Sequence, residues 1–199
     1  MRAVPNPPPQ DRIIGLYEEN ARAWDAHRGR DLHEKTWLDR FTALLPDGAE
    51  ILDLGCGAGE PIARYLIERG YRVAGVDSSP SLIGLCRERF PEHEWIAMDM
   101  RTLDLGRRFD GLIAWHSVFH LNADDQRAMF ARFAAHLRPD GALMFTSGHE
   151  AGESIGRWHG QPLYHSSLAP GEYESLLDEH GSDGVRYWAG SGRNSASQT

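Results

Sequence analysis

The sequence has no long hydrophobic run, only two cysteines and no excess of positive charge. No stretch approaches the ~18 consecutive apolar residues of a membrane span, and residues 1–10 lack the apolar segment of a secretory signal, so we expect a disordered lead-in there. Cys56 and Cys86 do not form a close metal-binding pair, which favours reduced thiols in a cytoplasmic protein and no metal site. The formal net charge of −8 argues against a nucleic-acid partner, because phosphate binding depends on clustered Lys and Arg. A small-molecule substrate fits this composition better.

Composition and pattern indicate one α/β domain. The chain has 199 residues, of which 41% are hydrophobic, enough for a core of its own. Short apolar runs alternate with segments of helical periodicity, which predicts a doubly wound, mainly parallel sheet with helices on both faces. The predicted strands cover residues 50–54, 71–77, 94–98, 109–115 and 142–146.

The segment from the first strand to the next helix holds the strongest functional signal. The apolar run at 50–54 is typical of a buried strand. Gly55, Gly57 and Gly59 follow at alternate positions, where the backbone turns tightly and a ligand approaches without meeting a Cβ. A helical segment then begins with Pro61 in its first turn, where a missing N–H costs nothing. A strand, a glycine turn and a helix N-terminus together indicate a nucleotide site.

Two acids narrow the kind of nucleotide. A dinucleotide fingerprint is G-x-G-x-x-G and faces a pyrophosphate, whereas this loop has the spacing G-x-G-x-G. Asp53, two residues before Gly55, would repel a pyrophosphate and suits a ligand that presents an ammonium or another cation. Asp77 ends the second predicted strand and lies 22 positions after Gly55. This separation is close to the ~20 residues that place a carboxylate on a ribose diol.

The glycine loop and the acid after the second strand resemble motif I and the following acidic motif of the class I S-adenosylmethionine-dependent methyltransferases. The resemblance runs from about residue 51 to residue 148. It implies a Rossmann-like fold, S-adenosylmethionine as cofactor with S-adenosylhomocysteine as product, and methyl transfer to a small-molecule acceptor. Together with the strand-end positions, it implies cofactor contacts by Asp53, Gly55, Cys56, Gly57, Asp77, Ser78, Ser79, Asp99, Met100, Trp115 and His116.

The implied contacts follow the order of the strands, whose carboxyl ends converge on one crevice. Asp53 and the glycine loop are expected to face the methionine part of the cofactor, and Asp77 its ribose. Asp99 resembles the family position that accepts a hydrogen bond from the adenine amino group, while Met100 offers an apolar surface to the ring. The alternative for Asp99 is an acid in a surface turn.

Two predicted helices, over residues 11–26 and 31–45, precede the first strand. They are similar to the N-terminal cap that folds over the cofactor in many small class I methyltransferases. The second helix is predicted to start with an approximate capping box at Asp31. Trp24 is the candidate lid aromatic, and Arg28 is the candidate partner of the methionine carboxylate. The alternatives are core packing for Trp24 and a solvated charge for Arg28.

Histidines are the candidates for a general base, because their unperturbed pKa lies near neutrality. Methyl transfer from a sulfonium is an in-line displacement, which needs a positioned acceptor and no covalent enzyme nucleophile. His116 and His120 follow the fourth predicted strand, where substrates of this fold dock, and they are the candidate catalytic residues. His149, His159 and His165 lie in a segment that resembles a substrate-side insertion. A thiol or amine acceptor needs no base.

The C-terminal region departs from the family, whose sheet normally ends with two more strands. An extended segment is predicted at 161–168 and a helix at 170–180, but residues 181–190 offer at most one short strand. We therefore expect atypical or missing C-terminal strands. The edge of the fifth strand is then covered by a loop or a dimer partner, or it stays open. The chain is expected to be a monomer or a homodimer.

No internal repeat or linker divides the chain. We expect a disordered segment at 1–10, a single domain at 11–190 and a flexible tail at 191–199. Within the domain we expect three parts: a helical cap at 11–48, a cofactor-binding core at 49–148 and a substrate-side segment at 149–190.

Two other functions stay open at the level of the sequence. The first is a nicotinamide-dependent oxidoreductase, which the glycine spacing and Asp53 disfavour. The second is a protein that binds S-adenosylmethionine or S-adenosylhomocysteine with little or no catalytic activity, an option that the unusual C-terminal region leaves open. Titration with S-adenosylhomocysteine beside NADH distinguishes the first, and an acceptor screen distinguishes the second.

Overall fold

The computed structural model describes residues 7–158 and 160–180 and the backbone of residues 186–187. Its strands in chain order are β1 (Glu50–Leu54), β2 (Arg72–Asp77), β3 (Glu94–Ala97), β4 (Phe109–Ala114), β5 (Leu137–Phe145), β6 (Gly152–Trp158), β7 (Gln161–Ser167) and β8 (Arg186–Tyr187). Six of them form one parallel sheet in the order β3-β2-β1-β4-β5-β8. The strand order reverses between β1 and β4, and ligands of open α/β sheets bind outside the carboxyl ends of the strands at such a point.

Helices cover both faces of the sheet, as the alternating patterns predicted. In chain order they are α1 (Ile13–Glu19), α2 (Ala21–His27), α3 (Lys35–Thr42), α4 (Ile62–Glu68), α5 (Pro80–Arg89), α6 (Ala123–His136) and α7 (Pro170–His180). Helices α3, α4 and α5 share one hydrophobic cluster, whose members include Leu38, Leu66 and Ile83. Helices α6 and α7 share the cluster on the other face through Phe133 and Tyr173. The predicted doubly wound parallel fold is confirmed.

Local sequence signals place the central elements. All residues of β1 after Glu50 are buried, as expected of a strand that is covered on both faces. Helix α5 begins after Ser79, whose Oγ accepts the Leu82 N–H at 3.2 Å. Helix α6 begins after Asn122, whose Oδ1 accepts the Asp125 N–H at 2.8 Å. Both caps satisfy backbone donors that have no partner within the helix.

The N-terminal helices differ from the prediction. The predicted helix at 11–26 is broken at Asn20, whose side-chain amide donates to the Leu16 carbonyl at 2.8 Å. Asn side chains compete in this way with the backbone hydrogen bonds of a helix. The predicted capping box at Asp31 does not form, because α3 begins only after Glu34, which caps no backbone N–H and pairs with Arg28 instead.

Strands β6 and β7 form an antiparallel hairpin that is separate from the main sheet. The extended segment and the helix predicted for residues 161–168 and 170–180 are confirmed as β7 and α7. The short strand β8 pairs in parallel with β5 beside Ala142 and Leu143, so the expectation of an atypical C-terminal end holds for the described residues. Strand β5 begins earlier than predicted, at Leu137, with a register shift against β4.

Some predictions concern residues outside the described part of the chain. These are the flexible tail at 191–199, His159 and most of the lead-in at 1–10. A 3-10 turn at Pro9–Arg12 shows that the predicted disordered segment extends two residues too far. Among the described residues, none of the helices has the length and the apolar character needed to cross a membrane.

Replacing Phe133 with alanine is expected to lower the free energy of unfolding by about 3–5 kcal/mol, because the surrounding core cannot fill the cavity. The side chain is 1% exposed, and its ring centroid lies 5.5 Å from that of Phe130. Urea unfolding measures the change. Ile155→Ala is the control, since that side chain is 60% exposed and its loss is expected to stay within about 0.5 kcal/mol. Equal losses for the two variants would contradict the packing.

Candidate functional site

Three adjoining cavities follow the carboxyl ends of β1, β2 and β4. The lid cavity, about 100 Å³, is lined by Tyr17 and Asp77. The central cavity, about 390 Å³, is lined by Asp53, and the outer cavity, about 590 Å³, by Glu34. Tyr17 also lines the central cavity, and His116 lines all three. The three cavities therefore form one cleft at the place where the strand order reverses.

Asp77, at the end of β2, holds the glycine loop and the start of α5 together. Its Oδ2 accepts the Gly57 N–H and its Oδ1 accepts the Ser79 N–H, both at 2.9 Å. Burial raises the pKa of this carboxyl, while the backbone donors, which stabilise the ionised form, act in the opposite direction. Asp77 therefore shapes the wall of the cleft in addition to facing it.

The glycines of the loop are required by what packs against them. A Cβ on Gly57, where φ is +56°, would lie 2.6 Å from the Trp24 ring. A Cβ on Gly55, where φ is +76°, would lie 2.3 Å from the Ser117 Cβ. Both positions also have a backbone conformation that L-residues rarely adopt. Trp24 of α2 therefore lies directly on the glycine loop, where the sequence predicts a lid aromatic.

The central cavity contains a buried carboxyl group. Asp53 is 3% exposed. Burial and the nearby charge of Asp77 raise the pKa of Asp53 to about 7. A second acid, Glu60, also lines this cavity and accepts the Arg64 Nε–H at 2.7 Å. A positive ligand group in this cavity would stabilise the ionised form of Asp53.

Arg28 lines the same cavity and forms an ion pair with Glu34. The Arg28 Nη2 donates to the Glu34 Oε1 at 2.7 Å. Glu34 is only 5% exposed, so this ion pair is largely withdrawn from water. The Arg28 side chain is thus ion-paired and 23% exposed, and its role toward the methionine carboxylate stays a prediction. The central cavity therefore has two acidic side chains, Asp53 and Glu60, and the basic side chain of Arg28. Of these, Asp53 and Arg28 match the two charged groups of an amino acid.

The lid cavity contains the residues predicted to face an adenine ring. Asp99 and Met100 line it together with Met98 and Ile14. Both oxygens of Asp99 already accept N–H groups of Arg101, at 2.7 to 3.1 Å. The apolar part of the predicted adenine site is present, and the role of Asp99 as an acceptor for the adenine amino group stays a prediction.

Ser78 lines the lid cavity, but Ser79 does not. Ser79 is fully buried; its Oγ caps α5 and donates to Glu18 of α1 at 2.5 Å. Glu18 also accepts the Ser81 N–H and Oγ–H, at 3.1 and 2.6 Å. These contacts tie α1 to the N-terminus of α5. Ser79 therefore has a structural role, and it lines none of the three cavities.

A second contact ties the lid, which consists of helices α1 and α2, to helix α5. The carboxylate of Asp25 in α2 accepts hydrogen bonds from the Nη1 and Nη2 atoms of Arg89, at 2.8 and 2.5 Å. The Arg89 side chain also donates to the Ala58 carbonyl of the glycine loop at 3.1 Å. A charged hydrogen bond of this kind is stronger than a neutral one. The lid, the glycine loop and α5 are therefore linked by hydrogen bonds.

The two predicted catalytic histidines have different surroundings. His120 Nδ1 lies 2.8 Å from the Tyr164 carbonyl, so this nitrogen carries the proton. His120 Nε2 then accepts the Tyr17 hydroxyl at 3.0 Å. Burial lowers the pKa of His120 to about 4. Because both nitrogens are engaged and the ring is weakly basic, the geometry disfavours His120 as a general base.

His116 stays the predicted base. Its backbone has a φ of +52°, which is uncommon for a residue with a side chain, and its N–H donates to the Thr146 Oγ1 at 2.8 Å. This conformation places the ring at the junction of the three cavities. Strain of this kind is concentrated at functional sites.

The structure thus brings nearly all predicted site residues to one cleft. Those that line it are Trp24, Arg28, Asp53, Gly55, Cys56, Gly57, Asp77, Ser78, Asp99, Met100, Trp115, His116 and His120. Among the other lining residues, four polar ones that sequence reasoning did not select are Tyr17, Glu34, Glu60 and Ser117. Only Glu60 and Ser117 carry a sequence signal, since each lies close to a strand end. Within the described ranges, no group of three or more His, Cys, Asp or Glu is arranged to hold a metal ion.

The chain is similar to known methyltransferases. A family model described as "Methyltransferase domain" matches residues 51–141. The dTDP-3-amino-3,6-dideoxy-alpha-D-glucopyranose N,N-dimethyltransferase of Streptomyces fradiae is 31% identical over 64% of this chain and 55% of its own length. The trans-aconitate 2-methyltransferase of Azoarcus sp. (strain BH72) is 37% identical over 66% of this chain and 47% of its own length. The chain spans about half the length of the curated relatives it matches.

Solved structures share the fold. An amino pentose methyltransferase from Micromonospora echinaspora, solved with S-adenosylmethionine bound, has a TM-score of 0.63 at 24% identity, covering 83% of this chain and 88% of that chain. The CcbJ methyltransferase from Streptomyces caelestis has a TM-score of 0.67 at 19% identity, covering 85% and 86%. These likenesses confirm the Rossmann-like fold.

Replacing Asp53 with asparagine is expected to remove a pH-dependent loss of stability. A raised carboxyl pKa means that the folded chain holds this proton more tightly than the unfolded chain. Stability is therefore lost between the ordinary Asp pKa, near 4, and the folded value of about 7. Between about pH 5 and about pH 8, the free energy of unfolding of the wild type should fall by about 2 kcal/mol relative to that of Asp53→Asn. Urea unfolding at both pH values measures this, and an unchanged difference between the two proteins would contradict it.

Proposed function

We propose that this chain, whose residues 51–141 match a methyltransferase domain, is a class I S-adenosylmethionine-dependent methyltransferase that transfers a methyl group to a small-molecule acceptor. One observation carries the proposal. Asp53 and Arg28 line the central cavity beside the glycine loop, and the strand-end carboxylate of Asp77 lines the neighbouring lid cavity. That arrangement of charges suits an amino-acid moiety and a ribose in neighbouring cavities, and it does not suit a pyrophosphate.

The residues of the cleft fit S-adenosylmethionine. Asp53 would hold its ammonium group and Arg28 its carboxylate, since both side chains line the central cavity. Asp77 would hold the ribose hydroxyls, and Met100 with Ile14 would cover the adenine from the lid cavity. When bound, this cofactor supplies an electrophilic methyl group on a sulfonium.

The chain itself would position the two reactants, shield them from water and supply a proton acceptor. The contacts of Glu18 and Asp25 hold α1 and α2 against α5, beside the glycine loop, and helices held there would help to exclude water from a bound cofactor. The aromatic faces of Tyr17 and Trp24 line the central cavity, where they would attract a sulfonium. His116 lies between the central and outer cavities and would accept a proton from a hydroxyl acceptor. Proximity and orientation would supply most of the rate.

Location and assembly belong to the same proposal. The two cysteines, Cys56 and Cys86, are free and buried, which supports a cytoplasmic, reducing compartment. The net charge of −8 supports a partner other than nucleic acid. We expect a monomer or a homodimer.

The first test is calorimetric titration with S-adenosylhomocysteine, with NADH as the control ligand. Saturable one-site binding of S-adenosylhomocysteine alone is expected, because the loop lacks the pyrophosphate spacing. An acceptor screen that follows formation of S-adenosylhomocysteine from S-adenosylmethionine then separates a methyltransferase from a binding protein without turnover. Binding of NADH without S-adenosylhomocysteine would overturn the assignment.

Replacing Asp77 with alanine is expected to weaken S-adenosylhomocysteine binding by about 1–3 kcal/mol, the scale for lost hydrogen bonds to a charged group. Asp77→Asn keeps one acceptor oxygen for the loop and tests whether the carboxylate itself is needed. Asp104→Ala is the matched control, because Asp104 is exposed and lines none of the three cavities. Thermal melts establish that each variant folds. An affinity for Asp77→Ala equal to that of the control would show that the ribose assignment is wrong.

A further inference from the structure

The outer cavity has an unusual set of charges for its size. Its volume of about 590 Å³ is large enough for one small molecule. Three carboxylates line it: Glu34, Glu150 and Glu153. Among the described residues, none of those that line it is a lysine or an arginine. Glu34 is paired with Arg28, so the negative charge of the lining comes mainly from Glu150 and Glu153, and it disfavours an anionic acceptor.

Two buried polar atoms point to what the cavity binds. In the part of the chain that the structure describes, the buried side-chain atoms without a hydrogen-bond partner are Glu34 Oε2 and Trp115 Nε1. Both residues line the outer cavity. Since buried polar groups are normally paired, we expect an N–H or O–H donor for Glu34 and an oxygen or nitrogen acceptor for Trp115. The other oxygen of Glu34 is bound to Arg28, which fixes the carboxylate in place.

The remaining walls combine aromatic rings, which suit a cation, with four histidines: His33, His116, His149 and His165. His149 Nε2 lies 3.6 Å from Glu150 Oε1. The rings of Trp37, Trp115 and Phe119 line the cavity and can stabilise a positive charge on their faces. Withdrawal from solvent lowers the pKa of His116 and of His165. These two rings therefore add no positive charge at neutral pH.

Resting on the proposed function, we propose that the acceptor is a small amine with a neutral oxygen, and that it carries no phosphate or carboxylate. Its protonated amine lies among the carboxylates and aromatic faces of the outer cavity, with Glu34 as the buried acceptor. Its oxygen accepts the Trp115 N–H. Glu150 and Glu153 at the rim, both exposed, attract the cation and select against anions.

The test uses the full chain saturated with S-adenosylhomocysteine and three probes that differ in one terminal group. Tyramine ends in an ammonium, tyrosol in a hydroxyl and 4-hydroxyphenylacetate in a carboxylate. Calorimetric titration is expected to give tyramine about tenfold higher affinity than the carboxylate, with tyrosol between them. Equal or tighter binding of 4-hydroxyphenylacetate, or no binding of tyramine to the saturated protein, would overturn the proposal.

A double variant, Glu150→Gln with Glu153→Gln, tests the cause of the preference. It keeps an oxygen for the Tyr164 hydroxyl, which lies 2.8 Å from Glu153, but removes both rim charges. The preference for tyramine should shrink by about threefold to tenfold, as expected for partly exposed charges. Glu179→Gln, exposed on α7 and outside the cavity, is the control and should leave the preference unchanged.

The two proposals fail in different ways. The first titration, with S-adenosylhomocysteine alone, tests the proposed function before any probe is added. If the protein binds S-adenosylhomocysteine but shows no preference for the amine, only the acceptor class is wrong. A preference that survives in the double variant would overturn the role of the rim carboxylates.

Discussion

The carboxylate of Asp77 is the contact on which the cleft depends. It accepts the N–H of Gly57 and the N–H of Ser79, so it joins the end of β2 to the glycine loop and to the start of α5. The lid then rests on these same two elements, through the Trp24 ring on Gly57 and through Glu18 on Ser79. Moving the carboxylate would therefore displace both walls of the cleft and the lid above it.

This arrangement leaves two acids close together, the buried Asp53 and the partly buried Asp77. Asp77 raises the pKa of Asp53, in addition to the larger effect of burial, and a carboxyl in that state costs folding free energy when it ionises. A positive ligand group beside Asp53 would offset that cost. Asp53, which narrows the cofactor class in the sequence, is thus a group whose ionised form is disfavoured by its surroundings. Such perturbed groups are typical of functional sites.

The sequence predicts the strands and helix caps, which depend on neighbouring residues. It does not predict contacts between residues that are far apart in the chain. The strands of the sheet and the caps at Ser79 and Asn122 follow from local patterns, and the strand ends place most of the cleft. The lid contacts could not be predicted, since Asp25 and Arg89 are far apart in the chain and their pairing depends on packing. The same holds for His120, whose suitability as a base is decided by the remote Tyr17 hydroxyl and Tyr164 carbonyl.

The region that matches the family model supplies the glycine loop and the strand ends of the cleft, but only part of the outer cavity. Residues 51–141, which match the methyltransferase domain, supply the glycine loop, Asp77 and Asp99. The outer cavity takes Glu34 from the lid region and Glu153 from the hairpin, both outside that match. Fold similarity therefore carries information about the cofactor side of the cleft, whereas the acceptor must be inferred from the side chains of the outer cavity. The atoms Glu34 Oε2 and Trp115 Nε1 matter for this reason: they belong to the side chains of this chain, and in the proposed acceptor they would pair with one donor and one acceptor group.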